Sequence, residues 1–256
     1  MLGAIAGDII GSRFERGGRK SMKFKLFSPR SAFTDDTVLT IAIAEALLEN
    51  RSYKECVRSY ALQFPNRGYG KSFIQWVKGD VEGPYNSWGN GSAMRVSPIA
   101  YAFNELTTIL KQAEASAAIT HNHPEGIKGA QATAAAIFWA RTGKSKTYIK
   151  EGIEQDFGYD LNRNIDDIRP DYQFDVSCQG SVPESIIAFL ESEDLESAIR
   201  LAVSLGGDTD TMACIAGAIA EAYYRDIPDA IALEIKMRLP VAFMKVLHRF
   251  YQQFVT

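Results

Sequence analysis

Two stretches of this 256-residue chain are apolar on every side of a helix, and a pair of aspartates opens each. After Thr34-Asp35-Asp36-Thr37 come Val38, Leu39, Ile41, Ala42, Ile43, Ala44, Ala46, Leu47 and Leu48. After Asp208-Thr209-Asp210-Thr211 come Met212, Ala213, Cys214, Ile215, Ala216, Ala218, Ile219 and Ala220. A helix without a polar face has to be buried, so its first turn points into protein rather than water. Four carboxylates gathered there cannot stay ionised without cations, because unpaired buried charge costs many kcal/mol. Hard oxygen ligands from Asp and Thr suit Mg²⁺ or Mn²⁺. Helix capping is the competing explanation, since Asp and Thr are ordinary N-cap residues and acids complement the helix dipole. A cap, however, uses one side-chain oxygen. Each cluster supplies two carboxylates and flanking hydroxyls, and the same surplus recurs at both helices.

Apolar residues make up 46% of the chain and charged residues 23%, enough for a sizeable core in a globular protein. A net charge of −3 without a basic block argues against a nucleic-acid surface. Apolar runs fall short of the roughly 20 residues of a membrane span. Residues 1–7 resemble a short signal core, but they lack a basic start and Asp8 interrupts them. Cys56, Cys178 and Cys214 are widely spaced and form no CxxC pair, as expected of reduced thiols in a cytoplasmic protein. His121-Asn122-His123 has no cysteine or third histidine at ligand spacing, which disfavours zinc.

Helical periodicity dominates and strand-like alternation is scarce. The pattern predicts helices near 2–12, 35–50, 52–64, 70–79, 92–103, 107–120, 124–142, 145–156, 180–190, 194–204, 209–225, 228–238 and 241–252. Pro65, Gly68, Gly143, Pro183, Gly206-Gly207 and Pro240 punctuate them. The expectation is an all-α bundle, a single domain over residues 1–256, monomeric. The polar stretch from Asp156 to Asp175 reads as a surface loop bordering the site.

Residues 81–92 form a second irregular stretch, and it ends in Ser87-Trp88-Gly89-Asn90-Gly91-Ser92. Glycines and a serine ahead of a helix expose N–H groups that, with the helix dipole, can hold phosphate. A flexible turn is the alternative, because the pattern is neither a Walker loop nor GxGxxG. Trp88 and Tyr69 lie beside glycines, where a ring can stack on a base or sugar, although aromatic side chains are more often core. In Gly7-Asp8-Ile9-Ile10-Gly11-Ser12-Arg13-Phe14-Glu15, Asp8 reads best as a hydrogen-bonded structural carboxylate. Glu15 is either a proton-transfer group or a solvated charge among Arg13, Arg16, Arg19 and Lys20.

Six pieces in order resemble the ADP-ribosylglycohydrolase family. They are Gly7-Asp8-x-x-Gly11-x-x-x-Glu15, Phe33-Thr34-Asp35-Asp36-Thr37, Arg67-Gly68-Tyr69-Gly70, Gly89-Asn90-Gly91-Ser92-Ala93-Met94-Arg95, Thr120-His121 and residues 204–211. The resemblance implies a compact all-α orthogonal bundle with two divalent cations, Mg²⁺ or Mn²⁺, in a central cleft. Thr34, Asp35, Asp36, Asp208, Asp210 and Thr211 are the implied metal ligands. Ser87, Gly89, Asn90, Gly91 and Ser92 match the loop that holds the diphosphate and proximal ribose. Trp88 and Tyr69 match aromatic positions near the adenine or ribose, and His121 matches a histidine lining the ribose end. Glu15 matches a flap glutamate of the branch acting on serine-linked and poly(ADP-ribose).

The implied reaction is hydrolysis of the bond between the anomeric carbon of ADP-ribose and an acceptor. That acceptor is a protein side chain, poly(ADP-ribose) or a small O-linked compound. Two cations would orient ribose hydroxyls and activate water, with Asp35 and Asp36 at the reacting end and Glu15 transferring a proton. A metal-dependent nucleotide-diphosphate phosphohydrolase and a non-catalytic ADP-ribose binder are the other readings. Their products, or lack of any, separate them.

Overall fold

The computed structural model describes residues 1–15 and 17–255; Arg16, grouped above with the charges around Glu15, lies outside the described residues. Among these residues there are fifteen helices. The first four are α1 (Leu2–Gly11), α2 (Asp35–Leu48), α3 (Tyr53–Gln63) and α4 (Lys71–Lys78). A short pair, α5 (Gly91–Met94) and α6 (Ser97–Ala102), precedes α7 (Leu106–Ala118), α8 (Pro124–Arg141) and α9 (Lys146–Phe157). The chain continues through α10 (Ile165–Ile168), α11 (Cys178–Leu190), α12 (Leu195–Ser204) and α13 (Thr209–Tyr224), and closes with α14 (Asp229–Arg238) and α15 (Val241–Phe254). The fold is all-α; the β structure among the described residues is one isolated bridge between Gly89 and Ser177.

Two expectations need correction. The helix expected over 92–103 is broken between Met94 and Ser97. Pro98 explains the break: it has no N–H to give the carbonyl of Met94, its ring clashes there, and it is accommodated in the first turn of a new helix. The stretch from Asp156 to Asp175 is not loop throughout, because Asn164 caps the single turn α10 by accepting from the Asp167 N–H at 2.9 Å.

The apolar helices are buried as their composition requires. Val38, Leu39, Ile41, Ala42, Ile43 and Ala44 of α2 are shielded from solvent, as are Met212, Ala213, Ile215, Ala216 and Ile219 of α13. Helix α13 packs on α1, α8, α11 and α12 at the centre of the core. Its contact with α1 is unusually close. A Cβ on Gly7 would lie 2.0 Å from the carbonyl oxygen of Ala213, and one on Gly11 2.4 Å from that of Thr209. Only glycine lets the two backbones approach so nearly. That approach brings Asp8 on α1 alongside Asp210 on α13, and α2 delivers Asp36 to the same place.

Candidate active site

The first acidic cluster is organised around a residue outside it. Thr34 is the N-cap of α2, its Oγ1 accepting from the Asp36 N–H at 3.3 Å. The same hydroxyl donates to Asp8 Oδ1 at 2.8 Å, and the Thr34 N–H donates to Asp8 Oδ2 at 3.0 Å. Thr37 adds its N–H at 3.1 Å and its hydroxyl, so two successive segments of chain hang from one buried carboxylate. Capping is therefore done by Thr34, and Asp35 and Asp36 are left over. The Asp35 N–H donates to the Arg67 carbonyl at 2.8 Å, while its side chain faces Gly68. Asp36 is buried and its Oδ1 has no hydrogen-bond partner.

The second cluster is built differently. Asp208 occupies the N-cap of α13 but makes no capping hydrogen bond. Its Oδ2 instead accepts from Asn90 Nδ2 at 2.8 Å, and Asn90 Nδ2 also reaches Ser181 Oγ at 3.1 Å. Asp210 Oδ1 accepts the Thr211 N–H at 3.0 Å. Thr211 Oγ1 lies 3.4 Å from Asp36 Oδ2 and ties the clusters together.

Carboxylate oxygens of Asp8, Asp36 and Asp210 come within 4.8 Å of one another, and so do those of Glu15, Asp208 and Asp210. Burial pushes the Asp8 carboxyl up to about 6. Burial, and then the neighbouring aspartates, push Asp35, Asp36 and Asp210 well above the ordinary carboxylate range, and burial raises Asp208. Among the described residues, no salt bridge involves these aspartates; the orphaned Asp36 oxygen and the mutually raised carboxyls fit bound divalent ions. An all-oxygen donor set of carboxylates and threonine hydroxyls suits a hard cation.

Above the acids opens a cleft of about 610 Å³. Glu15, Thr34, Asp35, Asp36, Asp208, Asp210 and Thr211 lie at its acidic end. Ser87, Trp88, Gly89, Asn90, Gly91 and His121 form the facing wall. That wall is held in place by two backbone bonds, Asn90 N–H to Val176 O at 2.7 Å and Cys178 N–H to Trp88 O at 2.9 Å. Trp88 is 52% exposed, with its ring edge-on to His123 at 5.6 Å. Two residues point elsewhere. Ser92 is buried and donates to the Gly126 carbonyl at 2.7 Å, and Tyr69 stacks on Phe73 and donates to the Phe64 carbonyl at 3.0 Å. Neither belongs to the cleft lining. His123 caps α8 through Nδ1, 3.1 Å from the Glu125 N–H, so the two histidines of the His-Asn-His stretch do different work. The three cysteines are free and buried.

Some of the site was hidden from the sequence. Asp8 reads as structural, and its bonds to Thr34 and Thr37 are that; yet one of its oxygens also faces Asp36 and Asp210. Asn90 reads as a loop residue, but it holds the second cluster. Phe174 and Val176, both about half exposed, also border the cleft, and no motif in the sequence signals them.

An all-α bundle with paired acidic helix starts under a glycine-lined wall defines a class, and the chain belongs to it: residues 1–254 match the ADP-ribosylglycohydrolase family. It is an enzyme of that family, a hydrolase of glycosidic bonds to ADP-ribose. Among its relatives is ADP-ribosylhydrolase ARH3 of Gallus gallus, 28% identical, the match covering 88% of this chain and 84% of the relative. ARH3 of Homo sapiens is 27% identical with 88% and 84% covered. An uncharacterized protein of Archaeoglobus fulgidus is 27% identical over 77% of this chain and 73% of its own. The fold is shared with the solved "ADP-ribosylglycohydrolase-related protein complex" (TM-score 0.74, 23% identity, 98% and 96% of the two chains covered). Among the described residues, no helix is long and apolar enough to cross a membrane.

Proposed function

We propose that the protein is a dinuclear-metal-dependent hydrolase that releases ADP-ribose from O-linked acceptors: a protein side chain, poly(ADP-ribose) or a small molecule. The observation that carries this reading is the convergence of two buried acidic helix starts, with the unpartnered Asp36 oxygen between them, at the foot of a nucleotide-sized cleft. Thr34, Asp35, Asp36, Asp208, Asp210 and Thr211 would hold two divalent cations, Mg²⁺ or Mn²⁺. When bound, such ions supply Lewis-acid charge stabilisation at oxygen.

The chain's own residues do the rest. The Ser87–Gly91 wall takes the diphosphate and proximal ribose, which leaves the distal ribose over the acids. Trp88, half exposed at the rim, offers a face to the adenine. Glu15, at the end of the cleft beside Asp208 and Asp210, is placed to exchange a proton with the leaving oxygen or the incoming water as an oxocarbenium-like transition state forms. The three buried thiols favour a reducing, cytoplasmic setting. Similarity to the ARH3 enzymes supports the choice of ADP-ribose as the released group.

A substrate panel tests the proposal. Serine-, arginine- and poly-linked ADP-ribose and an O-linked small ADP-ribose ester are each incubated with Mg²⁺, Mn²⁺ or chelator, and products are separated by chromatography. Free ADP-ribose from the O-linked substrates is expected. AMP with ribose phosphate would mark a pyrophosphatase instead, and binding without turnover a receptor.

A further inference from the structure

Glu15 reaches the second acidic cluster from a stretch without regular structure. Among the described residues between α1 and α2 there is neither helix nor strand, yet its carboxylate comes within 4.8 Å of those of Asp208 and Asp210. Backbone in such a stretch still needs hydrogen-bond partners, and here side chains supply them. Every carbonyl from Ser21 to Lys25 accepts from an arginine. Arg19 donates to Ser21 O at 3.2 Å and to Lys23 O, and Arg13 donates to Lys25 O. The two carbonyls between them go to α12: Arg200 Nη1 donates to Met22 O at 2.9 Å and to Phe24 O at 2.7 Å.

Aromatic rings carry this anchor back to Glu15. The Arg200 guanidinium lies over the Phe24 ring, 4.8 Å from its centroid, and that ring packs on Phe14 at 4.8 Å. Phe14 is the residue before Glu15. Arg200 is itself aimed by Glu196, one turn earlier on α12, whose Oε1 accepts from Nε at 2.7 Å. A second tether lies nearer the acids. Lys20 Nζ donates to the carbonyls of Leu205 and Tyr172, each at 2.6 Å, and Leu205 stands three residues before Asp208. The two backbones meet at the same place, where a Cβ on Gly206 would lie 2.6 Å from the Arg19 carbonyl oxygen.

We propose that Arg200 and Lys20 are positioning residues that seat the Glu15 segment on α12 and on the turn before α13, and so hold Glu15 at the second acidic cluster. Arg200 suits the task because Nη1 carries two hydrogens, one for each carbonyl, while the face of the guanidinium covers Phe24. Lys20 fastens the segment directly to the turn that delivers Asp208. The effect on turnover rests on the proposed role of Glu15 in proton transfer; the seating of the segment does not.

A double-mutant cycle tests the proposal. Arg200→Met keeps an apolar stem and loses the donors. It is expected to lower ADP-ribose release about tenfold through misplacement of Glu15, while affinities for Mn²⁺ and ADP-ribose stay within about twofold of wild type. Arg200→Lys should recover part of the loss. In a Glu15→Gln background Arg200→Met should have no further effect, because residues that act as one unit are not additive. Lys20→Met should behave in the same way, and it carries the cycle if circular dichroism and a thermal scan find Arg200→Met unfolded. Hydrogen exchange of the ligand-free protein should be faster over residues 17–25 in both variants. Wild-type turnover in both variants, an equal loss with and without Glu15, or unchanged exchange over 17–25 would overturn the proposal. Normal turnover by Glu15→Gln would sink the proton-transfer role instead, and the exchange data would then decide the seating alone.

Discussion

The acidic starts of α2 and α13 look alike in sequence but are supported in different ways. At α2 the cap is satisfied within the cluster by Thr34, and an outside carboxylate, Asp8, fixes Thr34 and Thr37 together. At α13 Asp208 forgoes capping, and a neutral amide from the cleft wall, Asn90, holds it. The first cluster is thus braced by the core, the second by the wall of the cleft. Support from the core favours a metal site that exists whether or not ligand is present. Support from Asn90 couples the second site to the conformation of the wall.

Removing a carboxylate from either cluster should have the largest effect and treat both alike. Asp36→Ala and Asp210→Ala are each expected to lower ADP-ribose release about a thousandfold, through loss of several kcal/mol of transition-state stabilisation, while circular dichroism remains helical. Wild-type turnover by either variant would break the pairing of the clusters. The next largest effect separates them. Asp8→Asn should weaken cation binding roughly 10–100-fold and also lower the melting temperature, because buried hydrogen bonds from Thr34 and Thr37 are lost or mismatched. Asn90→Ala should weaken cation binding by a comparable factor but lower the melting temperature of the metal-free protein less, because one donor to the buried Asp208 is lost rather than the several bonds that converge on Asp8. Calorimetric titration with Mn²⁺ and thermal scans distinguish the two.

The pH dependence sharpens the same point. Asp8 is raised from 3.8 to about 6, and Asp35, Asp36 and Asp210 are held well above the ordinary carboxylate range by burial and then by the neighbouring aspartates. The metal-free folded chain therefore keeps protons that the unfolded chain releases near pH ~4. The stability this protonation contributes is complete below that pH and is lost as pH rises through about 6 and beyond. The melting temperature without metal should fall between about pH 5 and pH 8, and the stabilisation by added Mg²⁺ should be larger at the higher pH. A metal effect independent of pH would contradict deprotonated ligands. The smallest effect expected is on binding in Glu15→Gln: ADP-ribose affinity within a few-fold of wild type, with turnover reduced roughly 10²–10⁴-fold by loss of proton transfer. Near-wild-type turnover with normal binding would remove Glu15 from the chemistry.

Much of this was legible in the residues because burial is written in composition. The absence of a polar face on α2 and α13 announced that their first turns point inward. What was not legible depends on partners distant in sequence. Whether Asp8 serves structure or the site turns on the backbone approach permitted by Gly7 and Gly11, which a glycine signals without saying what it meets. Ser92 and Tyr69 share motifs with the wall, yet their side chains turn to Gly126 and Phe64, because a motif fixes the backbone path and not every side chain's direction. The helix expected over 92–103 is two short helices instead, because the apolar run conceals the break that Pro98 imposes.

The central claim is that the two acidic helix starts act together as one dinuclear centre. Its most direct test is metal content: protein stripped with chelator, equilibrated with Mn²⁺ and measured for bound metal and for ADP-ribose release in parallel. Two ions per chain are predicted, with activity absent in the stripped protein and restored by the second ion. Full activity in stripped protein that binds no metal would contradict the account.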